Sequence, residues 1–179
     1  MKEKNILRLA NYFDHHEIVD LTGNVDLILL HAYENMEIDS FQDAARLFYI
    51  YIDEKRESTE ALNGLAVCFF EMEQYDHAQT IVDHALVLFP NDPVSLSNKA
   101  SLMWQEERYD EAVYYYQKSL SADPSMIESK VNLINLYREI GDLLLAYTLC
   151  LELCQTNPGD SEINELLNSL LLDIAIFMH

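Results

Sequence analysis

The sequence is short of basic residues, glycine, proline and cysteine, and each shortage excludes something. Eleven Lys and Arg stand against 31 Asp and Glu, a formal charge of −20 over 179 residues. A phosphate polymer is bound by cations that displace its counterions, so nucleic acid is not an expected partner. The same charge argues against docking on an anionic membrane. Glycine and proline number four each, too few for a protein of many β-turns, and point to long helices with short connections. Three cysteines cannot all pair, and Cys68 is far from Cys150 and Cys154, so no disulfide scaffold is expected and a reducing, cytoplasmic setting fits.

Long apolar runs are missing too. The best candidate, 166–178, is interrupted by Asn168, Ser169 and Asp173, which leaves it short of a membrane span. The basic residues Lys2, Lys4 and Arg8 are not followed by the apolar stretch of a secretory leader. Half the residues are hydrophobic and 11% aromatic, so the chain has ample material for a packed core.

What is present is a repeat. Pro90, Pro124 and Pro158 lie 34 residues apart, and so do Ala44, Ala78, Ala112 and Ala146. Three residues before each alanine stand Phe41, Tyr75, Tyr109 and Leu143; twelve before stand Ala32, Ala66, Ala100 and Ile134. Four concurrent series on one period are not accidental. Within each repeat, apolar residues at i, i+3, i+4 and i+7, such as Leu62, Leu65, Ala66 and Phe69, mark one stripe of a helix. Small residues let paired helices approach closely, and proline ends the second helix of each pair. Asp92-Pro93 and Asp160-Ser161 offer caps for the helices that follow.

This pattern resembles the tetratricopeptide repeat (TPR), and the resemblance implies an all-α, right-handed superhelical array of helix hairpins. Four repeats are expected at 25–58, 59–92, 93–126 and 127–160. They are preceded by an N-terminal helix and linker at 1–24 and followed by an apolar capping helix at 161–179. Residues 59–92 match the consensus best. Residues 25–58 match least, with Asn35, Tyr51 and Arg56 in the Tyr, second small and Pro slots.

Catalysis has little to rest on. The six histidines form no H-E-x-x-H, the glycines Gly23, Gly64, Gly141 and Gly159 are isolated, and no nucleophile has a base beside it. Cys150 and Cys154 share a helix face, but a closed zinc site needs four ligands and no second pair is near. No catalytic residue, metal or cofactor is nominated, and the chain is read as a non-enzyme.

The resemblance places the first helix of each repeat, helix A, along a concave groove. The groove positions are then Asp26, Leu29, Tyr33 and Met36; Glu60, Asn63, Val67 and Phe70; Val94, Ser97, Ser101 and Trp104; and Glu128, Val131, Asn135 and Arg138. They mix large apolar groups with carboxylates, hold no lysine, and hold one arginine. A protein or peptide segment with apolar anchors and basic flanks would suit them. The groove could instead be filled by one of the chain's own terminal helices.

TPR domains that grip chaperone tails resemble one another in a clamp of Lys, Asn, Asn, Lys and Arg. The corresponding places here carry Leu29, Tyr33, Gly64, Val94 and Asn98, so that clamp is absent. A narrower likeness lies in 41–48, 61–68 and 74–78, which resemble the first two repeats of class II chaperones of type III secretion. That likeness implies a dimeric protector of an exported client. The alternative is a structural adaptor or self-assembling scaffold with no client to protect. Finally, Leu170, Leu171, Leu172, Ile174, Ala175, Ile176, Phe177 and Met178 leave only Asp173 polar, so a homodimer is expected. It would form through this helix or through the stripe Ile6, Leu9, Tyr12 and Phe13.

Overall fold

The computed structural model describes residues 25–55 and 58–177. The expected helix at 3–20 and the last apolar residue, Met178, lie outside the described residues. Within them the chain is all helical, as the repeat pattern requires. Four hairpins follow one another: α1 (Val25–Glu37) with α2 (Phe41–Lys55), α3 (Thr59–Glu71) with α4 (Tyr75–Leu88), α5 (Pro93–Gln105) with α6 (Tyr109–Ala122), and α7 (Ile127–Glu139) with α8 (Leu143–Thr156). A ninth helix, α9 (Ser161–Phe177), closes the described chain. Each A helix has 13 residues.

The turn between A and B is built the same way four times. In the second repeat the Glu73 amide donates to the Phe70 carbonyl (2.9 Å) and the Gln74 amide to the Phe69 carbonyl (2.8 Å). This is the Schellman closure of a helix C-terminus, and it needs one residue in the left-handed region. Asp39, Glu73 and Glu107 occupy it at φ of 58°, 58° and 59°, and only the fourth repeat uses glycine, Gly141 at 85°. Helix starts are set by caps: Asp92 Oδ2 accepts from the Ser95 amide (2.8 Å), with Pro93 opening α5. Asp160 Oδ1 accepts from the Glu162 and Ile163 amides and opens α9.

One continuous core runs through the stack. The periodic alanines Ala44, Ala78, Ala112 and Ala146 are all fully buried, with Phe48, Leu65, Phe69, Ile81, Leu102, Tyr116, Ile134 and Leu153 among them. Leu153 stands where a small residue is usual, and it is buried as well. Gly64 lets α3 close on α2, since a Cβ there would lie 2.3 Å from Phe48 Cζ. Cys68 and Cys150 are buried core thiols, pushed by burial up to about 12 and about 11, which keeps both protonated.

Polar joints link successive A helices. Asp92 Oδ2 also accepts from Asn63 Nδ2 (2.9 Å), and Ser95 Oγ lies 2.8 Å from both Asp92 Oδ2 and Asn63 Oδ1. The next joint is made of hydroxyls: Ser97, Ser129 and Ser119 follow one another at 3.0 Å, and Ser119 donates to the Pro93 carbonyl (2.7 Å). All these serines are buried, so each hydroxyl must find a partner, and each does.

Helix α9 hides Ile163 and Leu170 against α8, where Leu149 and Leu153 lie. Its other side is uncovered: Leu172, Ile176 and Phe177 are 62%, 68% and 82% exposed. No helix among the described residues is long and apolar enough to cross a membrane.

Candidate functional site

Between the groove-facing side chains of the A helices lies a cavity of about 650 Å³. Its floor is apolar, formed by Ala66, Val67, Ala78, Val82, Leu102 and Tyr116. Phe70, Trp104 and Tyr109 stand on its walls, with the polar Asn98, Ser101 and Asn132 between them. Four carboxylates reach it, Glu71, Glu107, Glu128 and Glu139, and among the described residues neither lysine nor arginine lines it. A second hollow of about 550 Å³ adjoins it, sharing Trp104 and Glu139 and bounded further on by Asn135, Arg138, Leu143, Asp173 and Phe177.

The aromatic walls are held in place. Trp104 meets Tyr116 edge-to-face with ring centres 6.5 Å apart, and Phe70 meets Tyr75 at 5.3 Å. Tyr116 is buried, which pushes its hydroxyl up to about 12, and that hydroxyl lies 2.8 Å from Ser101 Oγ. Glu139 is fixed from two sides. Trp104 Nε1 donates to its Oε2 at 2.9 Å, and the Tyr109 hydroxyl donates to its Oε1 at 3.0 Å. That hydrogen bond raises the Tyr109 hydroxyl above the usual range, because losing the proton would set two anions together. Arg138, the single basic residue among the expected groove positions, is spent internally on Asp173 of α9.

The structure divides the expected site residues. Val67, Phe70, Ser101 and Trp104 line the large cavity, and Asn135 and Arg138 line the smaller one. Leu29, Tyr33 and Met36 belong to neither; they are partly buried against the core, and Tyr33 packs edge-to-face on Phe48 at 5.2 Å. The Tyr33 hydroxyl donates to Glu60 (3.3 Å) and is pushed up to about 12 by burial and that carboxylate. Val131 is likewise packed against the core. Asn63 is the correction: at 7% exposure it is part of the joint with Asp92 and Ser95 rather than the groove surface, because the capping carboxylate draws its amide inward.

Sequence reasoning missed Glu71, Gln105, Tyr109 and Glu139. A signal for three of them was there. Glu37, Glu71, Gln105 and Glu139 end the four A helices and keep the same 34-residue period as the alanines. Among the described residues no three of His, Cys, Asp and Glu gather as a metal site would require.

Comparison with known proteins supports the fold. A family model described as the coatomer epsilon subunit matches residues 34–122. No curated protein matches the chain. Among solved structures, a thermophilic TPR protein of Thermus thermophilus superposes with a TM-score of 0.79 at 12% identity, covering 93% of this chain and 87% of that one. The first TPR of Spaghetti (RPAP3), bound to the HSP90 peptide SRMEEVD, gives 0.58 at 13% identity, covering 65% of this chain and 93% of its own. A Thermobaculum terrenum O-GlcNAc transferase gives 0.67 at 17% identity over 74% of this chain, which spans only 26% of that enzyme. The fold is therefore that of a TPR array, a fold found both in a peptide-bound module and within an enzyme.

Proposed function

We propose that this chain is a non-catalytic protein-interaction module whose concave groove holds a partner segment with apolar anchors and basic flanks. One observation carries the reading: the large cavity joins an apolar floor to four carboxylates with no lysine or arginine to offset them. Apolar side chains of a partner would be desolvated on the floor, and cations would complement the rim. The Spaghetti TPR is bound to a peptide ending in Glu-Glu-Val-Asp. An acidic tail of that kind would be repelled here, where Leu29, Tyr33, Gly64 and Val94 stand in place of cationic and amide clamp residues.

The client-protecting role implied by the secretion-chaperone likeness is the narrower form of this proposal. The residues that carry that likeness include Ala44, Ala45, Phe48, Leu62, Leu65, Ala66 and Ala78, all buried. They specify helix packing and say nothing of a client. The groove is what recommends a client, and an adaptor that joins stable partners would use it differently.

Calorimetric titration with two synthetic peptides of equal leucine spacing, one flanked by Lys and Arg and one by Glu, tests the reading. The basic peptide should bind at least about tenfold tighter, with the gap closing as salt screens the rim. Equal affinity for both would refute it.

Self-association has its own observation. Leu144, Leu145, Leu171, Leu172, Ile176 and Phe177 are all exposed around the end of α9, and Asp173 among them is paired with Arg138. Two copies at −20 each repel over most of their surface, so this largely apolar face is where they can meet at least cost. Sedimentation should give a dimer for the full chain and a monomer for Ile176→Glu. A full-length monomer would exclude this pairing.

A further inference from the structure

Resting on the groove reading, we infer that Glu139 is a built receptor for one arginine side chain of the partner segment. It sits where the two cavities meet, with Trp104 on the lining of both. Three helices fix it: the carboxylate comes from the end of α7, and its two oxygens each accept one proton, from Trp104 on α5 at 2.9 Å and from Tyr109 on α6 at 3.0 Å. A carboxylate oxygen can accept more than one hydrogen bond. Both oxygens therefore keep acceptor capacity toward the cavity, in an orientation set before any ligand arrives.

The planar fork of a guanidinium matches such a carboxylate with two parallel N–H···O bonds, whereas an ammonium offers a point charge. The same cation would lie beside the indole of Trp104, whose N–H already holds one oxygen of the carboxylate. Among the described residues no resident cation competes. The large cavity has no basic residue, and Arg138 on the smaller one is paired with Asp173. Around the site the remaining charges are Glu71, Glu107 and Glu128, which raise the local preference for a cation without choosing between arginine and lysine. The choice falls to the pinned carboxylate.

Trp104 is the single tryptophan of the chain, so its fluorescence reports on this site alone. The test uses the full chain and three twelve-residue peptides with leucines four apart and one central residue, arginine, lysine or citrulline. Arginine should bind at least tenfold tighter than citrulline, which has nearly the same shape without the charge, with lysine in between. Glu139→Gln should bring arginine and lysine within threefold of one another, with citrulline still the weakest because the other carboxylates remain. Tyr109→Phe, which removes one of the two pins and keeps the charge, should narrow the gap between arginine and lysine more than that between lysine and citrulline. Equal binding of arginine and citrulline by the unmodified chain would overturn the arginine site and leave the groove standing. Retention of the full arginine preference in Glu139→Gln would remove Glu139 from the role. Binding of none of the three would overturn the groove reading, and this inference with it.

Discussion

Phe69 and Phe70 are adjacent in α3 and have opposite surroundings. Phe69 is fully buried and stacks on His77 with ring centres 5.2 Å apart, whereas Phe70 is half-buried on the wall of the cavity. The contrast extends along every central A helix. The early turns, with Asn63, Ser95, Ser97 and Ser129, are joined to the next repeat by buried hydrogen bonds. The last turns present Phe70, Trp104 and Glu139 to the cavity, where Trp104 and Glu139 are joined across successive A helices by an exposed hydrogen bond instead of a buried one. One helix thus does two jobs along its length. Substitutions at the buried early-turn residues and at Phe69 should change stability alone, and those at Phe70, Trp104 and Glu139 should change binding far more than stability.

The largest effect expected is from Phe69→Ala. Emptying a fully buried aromatic site should cost about 3–5 kcal/mol of unfolding free energy in urea, without changing the affinity of the molecules that remain folded. Gly64→Ala comes next. Its new methyl would meet the buried ring of Phe48, and overpacking of this kind should cost about 1–3 kcal/mol. Combining it with Phe48→Leu should recover part of that loss, since the ring is what obstructs the methyl.

Asn63→Ala should cost less, about 1 kcal/mol, because Asp92 keeps the Ser95 amide and the Ser95 hydroxyl can turn fully to it. A loss of peptide affinity larger than the loss of stability would return Asn63 to the groove. The smallest change has the opposite sign. Glu73 holds a left-handed φ of 58° in the turn that precedes α4, so Glu73→Gly should stabilise by roughly 0.5–1 kcal/mol in thermal unfolding. A destabilised variant would mean that the Glu73 side chain contributes more than its strained backbone costs.

Much of this arrangement could be read in the sequence because repeats repeat their constraints. The alanines report closest approach, the prolines report helix ends, and Asp92 and Asp160 report helix starts; all of these are local and act the same way in every hairpin. The site was legible only in part. Val67, Phe70, Ser101, Trp104, Asn135 and Arg138 line the cavities from the expected face. Glu71 and Glu139 were not legible because both are exposed glutamates at helix ends, a place where a solvated side chain is the ordinary expectation, and only their position beside the cavity sets them apart. The burial of Asn63 was not legible because its partner, Asp92, is 29 residues away, at the far end of the same repeat. The pairing of Arg138 with Asp173 was not legible either, as it depends on how α9 lies along the stack.

The central claim is that the groove-facing residues of the last A-helix turns form a binding surface separate from the core. It is tested most directly by Phe70→Ala, with affinity for the basic-flanked peptide and urea unfolding measured on the same sample. Affinity should fall by about 1–3 kcal/mol, as for a buried aromatic anchor, while unfolding free energy falls by much less than in Phe69→Ala. An unchanged affinity, or a loss of affinity no greater than the loss of stability, would contradict the account.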